Sequence, residues 1–302
     1  AGHMVRLYIV RHGDPDYDTD RENGGSLTDH GRKEAEALVH FFCGENEPTH
    51  AYSSPMGRAR LTAKLALSKI DKFSGDNFDS NVGIEEWSKE LSTWRLGRPI
   101  NGGTNEEVNK AAVGSGKGVA LWDIPASTTR SRLVETIEGT SETTPGWTHR
   151  CNEHAVHIDK YNDLCSESDD FLAKHGIHRK KGVYYMSKAD SSDPSKRLAK
   201  IVVFCHGGLG LTWLAHLLHI PLPLIHSSFW LAPSSVTTIL FDEWHEEMPN
   251  SSDSEEKNDA IILTPRALCV GGTNHLASAG LQTAPSRYEE HLRPSGLKTN
   301  YF

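Results

Sequence analysis

The chain has 302 residues and a formal net charge of −8 at pH 7, which excludes a protein that holds nucleic acid through a broad basic face. With 37% hydrophobic and 24% charged residues it has the make-up of a folded globular chain rather than a disordered one. It contains no run of about 18 apolar residues, so neither a membrane span nor a membrane partner is expected.

Ala1-Gly2-His3 reads as the remnant of a tag-cleavage site, with Met4 as the natural start and no signal peptide before the first strand. From there Val5-Arg6-Leu7-Tyr8-Ile9-Val10 is a run of β-formers that stops at Arg11-His12-Gly13, the pattern of a buried strand ending in a polar loop. In open α/β sheets ligands sit at the carboxyl ends of strands. An imidazole there beside a guanidinium suits chemistry on an anion, and Gly13 lets the backbone come close.

Asp14-Pro15-Asp16-Tyr17 and Gly24-Gly25 read as turns. Thr28 is placed as an N-cap before a helix carrying Ala35, Leu38, Val39 and Phe42, with Gly44 as its C-terminal stop. A short strand is expected at His50–Ser53, then Ser54-Pro55 as the start of a second helix bearing Arg58 and Arg60. The apolar stretch Phe78–Ile84 leads to Glu85, Glu86 and Trp87. From about residue 88 to 181 the pattern loosens, and this is read as an inserted cap containing one helix, from about Glu153 to Lys174 and closed by Gly176. Lys200–Cys205 is the second clear buried strand, ending in His206-Gly207-Gly208. A helix with Leu211, Leu214, Ala215 and Leu218 follows and stops at Pro221. Val236–Phe241 is a further strand, Glu246–Asp259 an acidic, Ser-rich loop, and Ala260–Leu263 an edge strand. The last two dozen residues carry little pattern. Alternating strands and helices predict an α/β fold, a three-layer α/β/α sandwich on a mostly parallel sheet. One domain is expected, with a core of about 4–87 and 182–302 around the cap.

Two strand ends thus present His-Gly, at His12 and His206. With Arg11, Arg58 at a helix start, and Glu86 or Glu85, they form a set suited to phosphoryl transfer. Guanidiniums hold the phosphoryl oxygens, an uncharged imidazole attacks phosphorus, and a carboxylic acid protonates the departing alkoxide. Arg11-His12-Gly13, Leu27-Thr28 with Gly31 and Ala35, Ser54-Pro55 with Arg58-Ala59 and Thr62-Ala63, and His206-Gly207 together resemble the histidine phosphatase superfamily, which includes phosphoglycerate mutases. The resemblance spans about Met4–Glu86 and Lys200–Phe241, more weakly Pro265–Gly280. Arg11-His12-Gly13-Asp14-Pro15-Asp16-Tyr17, Phe204-Cys205-His206 and Pro233-Ser234-Ser235-Val236-Thr237-Thr238 are most similar to poorly characterised histidine phosphatase family proteins.

The resemblance implies His12 as phosphorylated nucleophile, Arg11, Arg58, His206 and Gly207 around the phosphoryl group, and Glu86 as the acid, with Glu85 as the alternative. Mutases of this group usually have Glu-Ser and then an Asn after the Arg-His-Gly; this chain has Asp14-Pro15 and Asp18. Hydrolysis of a small phosphorylated metabolite is therefore expected, the other readings being a phosphomutase and an inactive phosphate-binding module. No metal or cofactor is expected. Cys151, His154 and His157 are spaced by three but lack an evident fourth ligand. Five scattered cysteines (Cys43, Cys151, Cys165, Cys205, Cys269) imply no disulfide framework and point to a cytoplasmic setting.

Overall fold

The computed structural model describes residues 4–91, 95–96, 119–120, 155–244 and 260–282. An eight-stranded sheet runs through it. In chain order its strands are β1 (Met4–Arg11), β2 (His50–Ser53), β3 (Val82–Ile84), β4 (His178–Lys180), β5 (Val183–Met186), β6 (Lys200–Cys205), β7 (Val236–Trp244) and β8 (Ile261–Gly272). Their order across the sheet is β3-β2-β6-β1-β7-β8-β5-β4. The half from β3 to β1 is parallel, and the strands beyond β1 add antiparallel.

Both faces of the sheet are covered, which is why β1 and β6 read as unbroken apolar runs rather than alternating ones. Along a strand, successive side chains point to opposite faces. Val5, Leu7 and Ile9, with Ile201, Val203 and Cys205, share one core with Trp213 and Leu214 of helix α4 (Gly207–Leu218) and Phe171 and Leu172 of helix α3 (Ala155–Lys174). Tyr8 and Val10, with Val202 and Phe204, share the other with Leu38 of helix α1 (Asp29–Phe41) and Ala63 and Ala66 of helix α2 (Gly57–Ala66). The expected α/β/α sandwich is found.

Several boundaries differ from the sequence reading. Thr28 caps α1, its hydroxyl accepting from Gly31 N, but Ser54-Pro55 does not open α2. That helix starts at Gly57 behind Met56, and Ser54 Oγ instead accepts from Met56 N at 3.3 Å, one step before the helix. α3 ends at Lys174, with Gly176 at φ +80°, yet it is no part of a separate cap. Leu164, Phe171 and Leu172 lie in the main core, and β4 and β5, joined by Lys181-Gly182 at φ +49° and +84°, extend the sheet. Of the rest of the proposed insertion only residues 88–91, 95–96 and 119–120 are described, and the 246–259 loop and the chain after 282 lie outside the described residues.

β8 is far longer than Ala260–Leu263 and reaches Gly272. Ile261–Leu263 is the flanked part, paired to β5 on one side and β7 on the other. Pro265 pairs only with Phe241 of β7, so its missing N–H falls where the strand forms the edge, the position a proline tolerates.

Candidate active site

Parallel pairing of β1 with β6 sets Arg11 opposite Cys205, so the next residue on each strand, His12 and His206, leaves the sheet at the same edge. Their rings stand 5.1 Å apart between centroids and both are buried. His12 Nδ1 lies 2.7 Å from Gly13 O. A carbonyl can only accept, so the proton sits on Nδ1 and Nε2 carries the lone pair. His206 Nε2 lies 2.9 Å from Ser54 Oγ, which also accepts from Met56 N at 3.3 Å.

Burial drives both imidazoles well below the ordinary histidine range. For His12 the charges of Arg11 and Arg58 add to this, opposed by the bond to Gly13; for His206 the neighbours are His12, Arg58 and Arg11. His12 is therefore uncharged at neutral pH.

The backbone around it is pinned on three sides. Gly13 N donates to Thr62 Oγ1 at 3.0 Å, Ser234 N donates to His12 O at 3.1 Å, and Arg11 N donates to Ser235 O at 3.2 Å. Ser234 holds φ +54° to do this, a left-handed conformation that non-glycine residues seldom adopt. Gly13 itself has room for nothing more: a Cβ there would stand 2.5 Å from Gly31 O.

Both arginines are oriented by neutral acceptors. Arg11 Nη1 donates to Leu231 O at 2.5 Å, and Arg58 Nη1 donates to Gly24 O. Arg11 stacks on Trp230 with Cζ 5.2 Å from the ring centroid, and Arg58 on Tyr17 at 5.3 Å. Gly207 opens α4 against Arg11, whose Nε would stand 3.2 Å from a Cβ added there. Arg11 Nε, Arg58 Nε and His206 Nδ1 are buried without a hydrogen-bond partner among the described residues. An orphaned buried donor costs about 1–3 kcal/mol, so the two guanidinium N–H groups beside one pair of histidines suit an acceptor-rich anion, and His206 Nδ1 joins them where the ring carries its proton there.

The carboxylates fall differently from expectation. Glu86 begins a one-turn 3-10 helix (Glu86–Ser88), is 71% exposed and pairs with Lys89 Nζ at 2.6 Å. Glu85, only 12% exposed, accepts from Lys174 Nζ at 2.9 Å and Trp87 Nε1 at 3.0 Å. Neither is among the charges that act on Arg11 or Arg58. Glu90 is the carboxylate whose charge acts on both arginines, and it is the first charge felt by Arg11. Its Oε1 accepts from Leu91 N at 2.9 Å and from Leu209 N, in the first turn of α4, at 3.2 Å. Nothing in the sequence around Glu90 marks it, since it follows no strand and belongs to none of the four motifs. Glu34, fully buried in α1, also acts on Arg11, and its Oε2 accepts from Asp14 N at 2.8 Å. Arg60, by contrast, is a surface residue paired with Asp79.

Among the described residues no cluster of three or more metal-ligating side chains occurs. Cys151 and His154 lie outside them.

An α/β sandwich that brings two neutral histidines and two arginines to one sheet edge is built to receive an oxyanion. Residues 7–88 match the family model described as the histidine phosphatase superfamily (branch 1), the family that the motifs resemble. The matched stretch holds Arg11, His12, Arg58, Glu85 and Glu86 but stops short of Glu90 and His206. No curated protein sequence matches the chain. Among solved structures the chain is similar to a mycobacterial hydrolase, at 18% identity and TM-score 0.48 over 92% of this chain and 97% of the other. It is also similar to a phosphoserine phosphatase of Entamoeba histolytica, at 17% identity and TM-score 0.42 over 90% and 99%. A third is a phosphoglycerate mutase of Bacillus anthracis, at 16% identity and TM-score 0.46 over 92% and 98%.

Proposed function

We propose that the protein hydrolyses phosphate monoesters through a phosphohistidine at His12. The observation that carries this reading is the set of buried, unpartnered donors on Arg11, Arg58 and His206 beside an imidazole whose Nε2 is left as the nucleophile.

In the first step Nε2 of His12 forms the N–P bond as the ester P–O bond breaks. Arg11 and Arg58 offset the charge on the transferring oxygens, and His206 Nδ1 supplies a further donor. The alkoxide takes a proton from a carboxylic acid. This role is assigned to Glu90, where both backbone bonds use Oε1 and the acid proton would sit on Oε2. In the second step the Glu90 carboxylate takes a proton from water. The water oxygen then bonds to phosphorus, the N–P bond breaks, and phosphate leaves with His12 neutral and Glu90 protonated again. Asp14-Pro15 and Asp18, where the mutases have Glu-Ser and Asn, favour release to water over transfer to a second hydroxyl. The guanidiniums supply the positive charge, so no metal is required and chelators should leave the rate unchanged.

The test is direct. Rapid quenching of the wild type with substrate should trap an acid-labile phosphoryl group on His12. His12→Ala should be folded, form no such adduct and release no phosphate. A folded His12→Ala retaining turnover, or activity lost in EDTA and restored by a divalent ion, would overturn the mechanism. Isomerisation of a phosphoglycerate outpacing phosphate release would reverse the choice of hydrolysis.

A further inference from the structure

Two kinds of chemistry surround the two arginines. Tyr17 and Trp230, the rings stacked on Arg58 and Arg11, are 41% and 46% exposed, and Phe229 beside Trp230 is 38% exposed. These are three of the seven large apolar side chains exposed among the described residues, and two of them, Tyr17 and Trp230, lie against the two arginines of one site. Apolar groups concentrated at the rim of a polar pocket mark a surface that a ligand covers. A phosphoryl group gripped by both guanidiniums carries its ester substituent out past the rings that back them.

The second chemistry is charge. The loop from residue 14 to residue 24 contains Asp14, Asp16, Asp18, Asp20 and Glu22 against the single cation Arg21. Arg21 is already paired with Asp18 at 2.9 Å. The loop is docked on the pocket through Gly24 O, which accepts from Arg58. A second anionic group on the substrate would meet like charges there, and such repulsion discriminates as effectively as attraction.

We infer that the site takes phosphate monoesters whose alcohol part is aromatic and bears no further negative charge. The inference rests on the phosphoryl reading of the pocket, and its test separates the two. Calorimetric binding of non-hydrolysable ligands to the full chain is the measurement, with orthophosphate and vanadate as reference, then methylphosphonate, benzylphosphonate and 4-(phosphonomethyl)benzoate. Benzylphosphonate should bind about three- to tenfold more tightly than methylphosphonate, the worth of an aromatic contact. The added carboxylate should take that advantage away. Trp230→Ala should bring the benzyl-to-methyl ratio towards one, and Trp230→Phe should restore most of it. The ratio is read rather than either affinity, because Trp230 also supports Arg11. Equal binding of benzyl- and methylphosphonate by the wild type, or tightest binding of the carboxylated ligand, would overturn the inference whether or not the Trp230 variants fold. If orthophosphate and vanadate themselves fail to bind, the phosphoryl reading falls, and this inference with it.

Discussion

Two groups of basic residues among those described are wired in opposite ways. At the sheet edge, Arg11 and Arg58 donate to the carbonyls of Leu231 and Gly24, and His12 and His206 meet a carbonyl and a serine hydroxyl. On the α3–α4 side, Arg179 Nη1 lies 3.3 Å from Asp169 Oδ2, and His216 Nε2 lies 2.8 Å from Asp169 Oδ1, one carboxylate joining α3, α4 and β4. His178 is held in the same way by Asp190 at 2.9 Å. Carbonyls and hydroxyls fix direction without cancelling charge, whereas a carboxylate does both. Among the described residues the guanidiniums of Arg11 and Arg58 form no ion pair, whereas that of Arg179 is tied to Asp169 and helps hold the fold.

That contrast can be broken by mutation, and the largest effect belongs to His12→Ala. It should lower turnover by at least about a thousandfold, as loss of a nucleophile does, with little change in melting temperature. Significant unfolding in that variant would mean that the pocket histidines are structural like His216. Next comes Glu90→Gln, which should slow hydrolysis of alkyl phosphates by about 10²–10⁴-fold and spare nitrophenyl phosphate by comparison, because nitrophenolate leaves unprotonated. Single-turnover phosphorylation rates are the measure, so that slow dephosphorylation does not mask the difference. Selective loss in Glu86→Gln or Glu85→Gln instead would return the role to the 85–86 turn and show that it reorients with substrate.

Asp169→Ala should do the reverse of His12→Ala. It should cost stability of about 2 kcal/mol, the scale of hydrogen bonds to charged groups, while kcat stays near wild type. A loss of activity without loss of stability would place Asp169 in the chemistry.

The smallest effect is a pH slope. Burial pushes His175, whose Nε2 has no partner, down to about 4. The unfolded chain then takes up its proton first as pH falls below the ordinary 6.5, so stability is lost between about pH 6.5 and 4, at up to about 1.4 kcal/mol per pH unit. His175 sits among Tyr52, Phe171 and His50, so His175→Phe should keep the packing and flatten that part of the denaturation profile. An unchanged slope would mean that His175 is not the group being titrated.

What could be read in the sequence follows the same division. β2 and β6 were legible to the residue, and β1 to within one residue at each end, because burial on both faces, or the change from apolar to polar chemistry at the strand end, defines them. His12, His206, Arg11 and Arg58 were legible because strand ends and helix starts fix a residue by its position. Glu90 was not, since its place depends on reaching Leu209, 119 residues away. Ser54 was only half legible for a related reason: its hydroxyl serves both the nearby Met56 N and the distant His206, and only the local role shows in sequence. β8 was cut short because Pro265 and Gly271-Gly272 look like breakers until one sees that the strand has by then become an edge.

The position of β1 has a consequence for how the chain is made. The strand is complete once Arg11 has been added, yet both its neighbours are distant in sequence, at Lys200–Cys205 and Val236–Trp244. At about 5–20 residues per second, the first of them follows roughly 10–40 s later. For that interval a newly synthesised chain carries Val5–Val10 as an apolar strand with neither edge paired, the form most prone to pairing with another chain. A polypeptide released early, before Lys200, would contain the nucleophile and its guanidinium but have nowhere to assemble them.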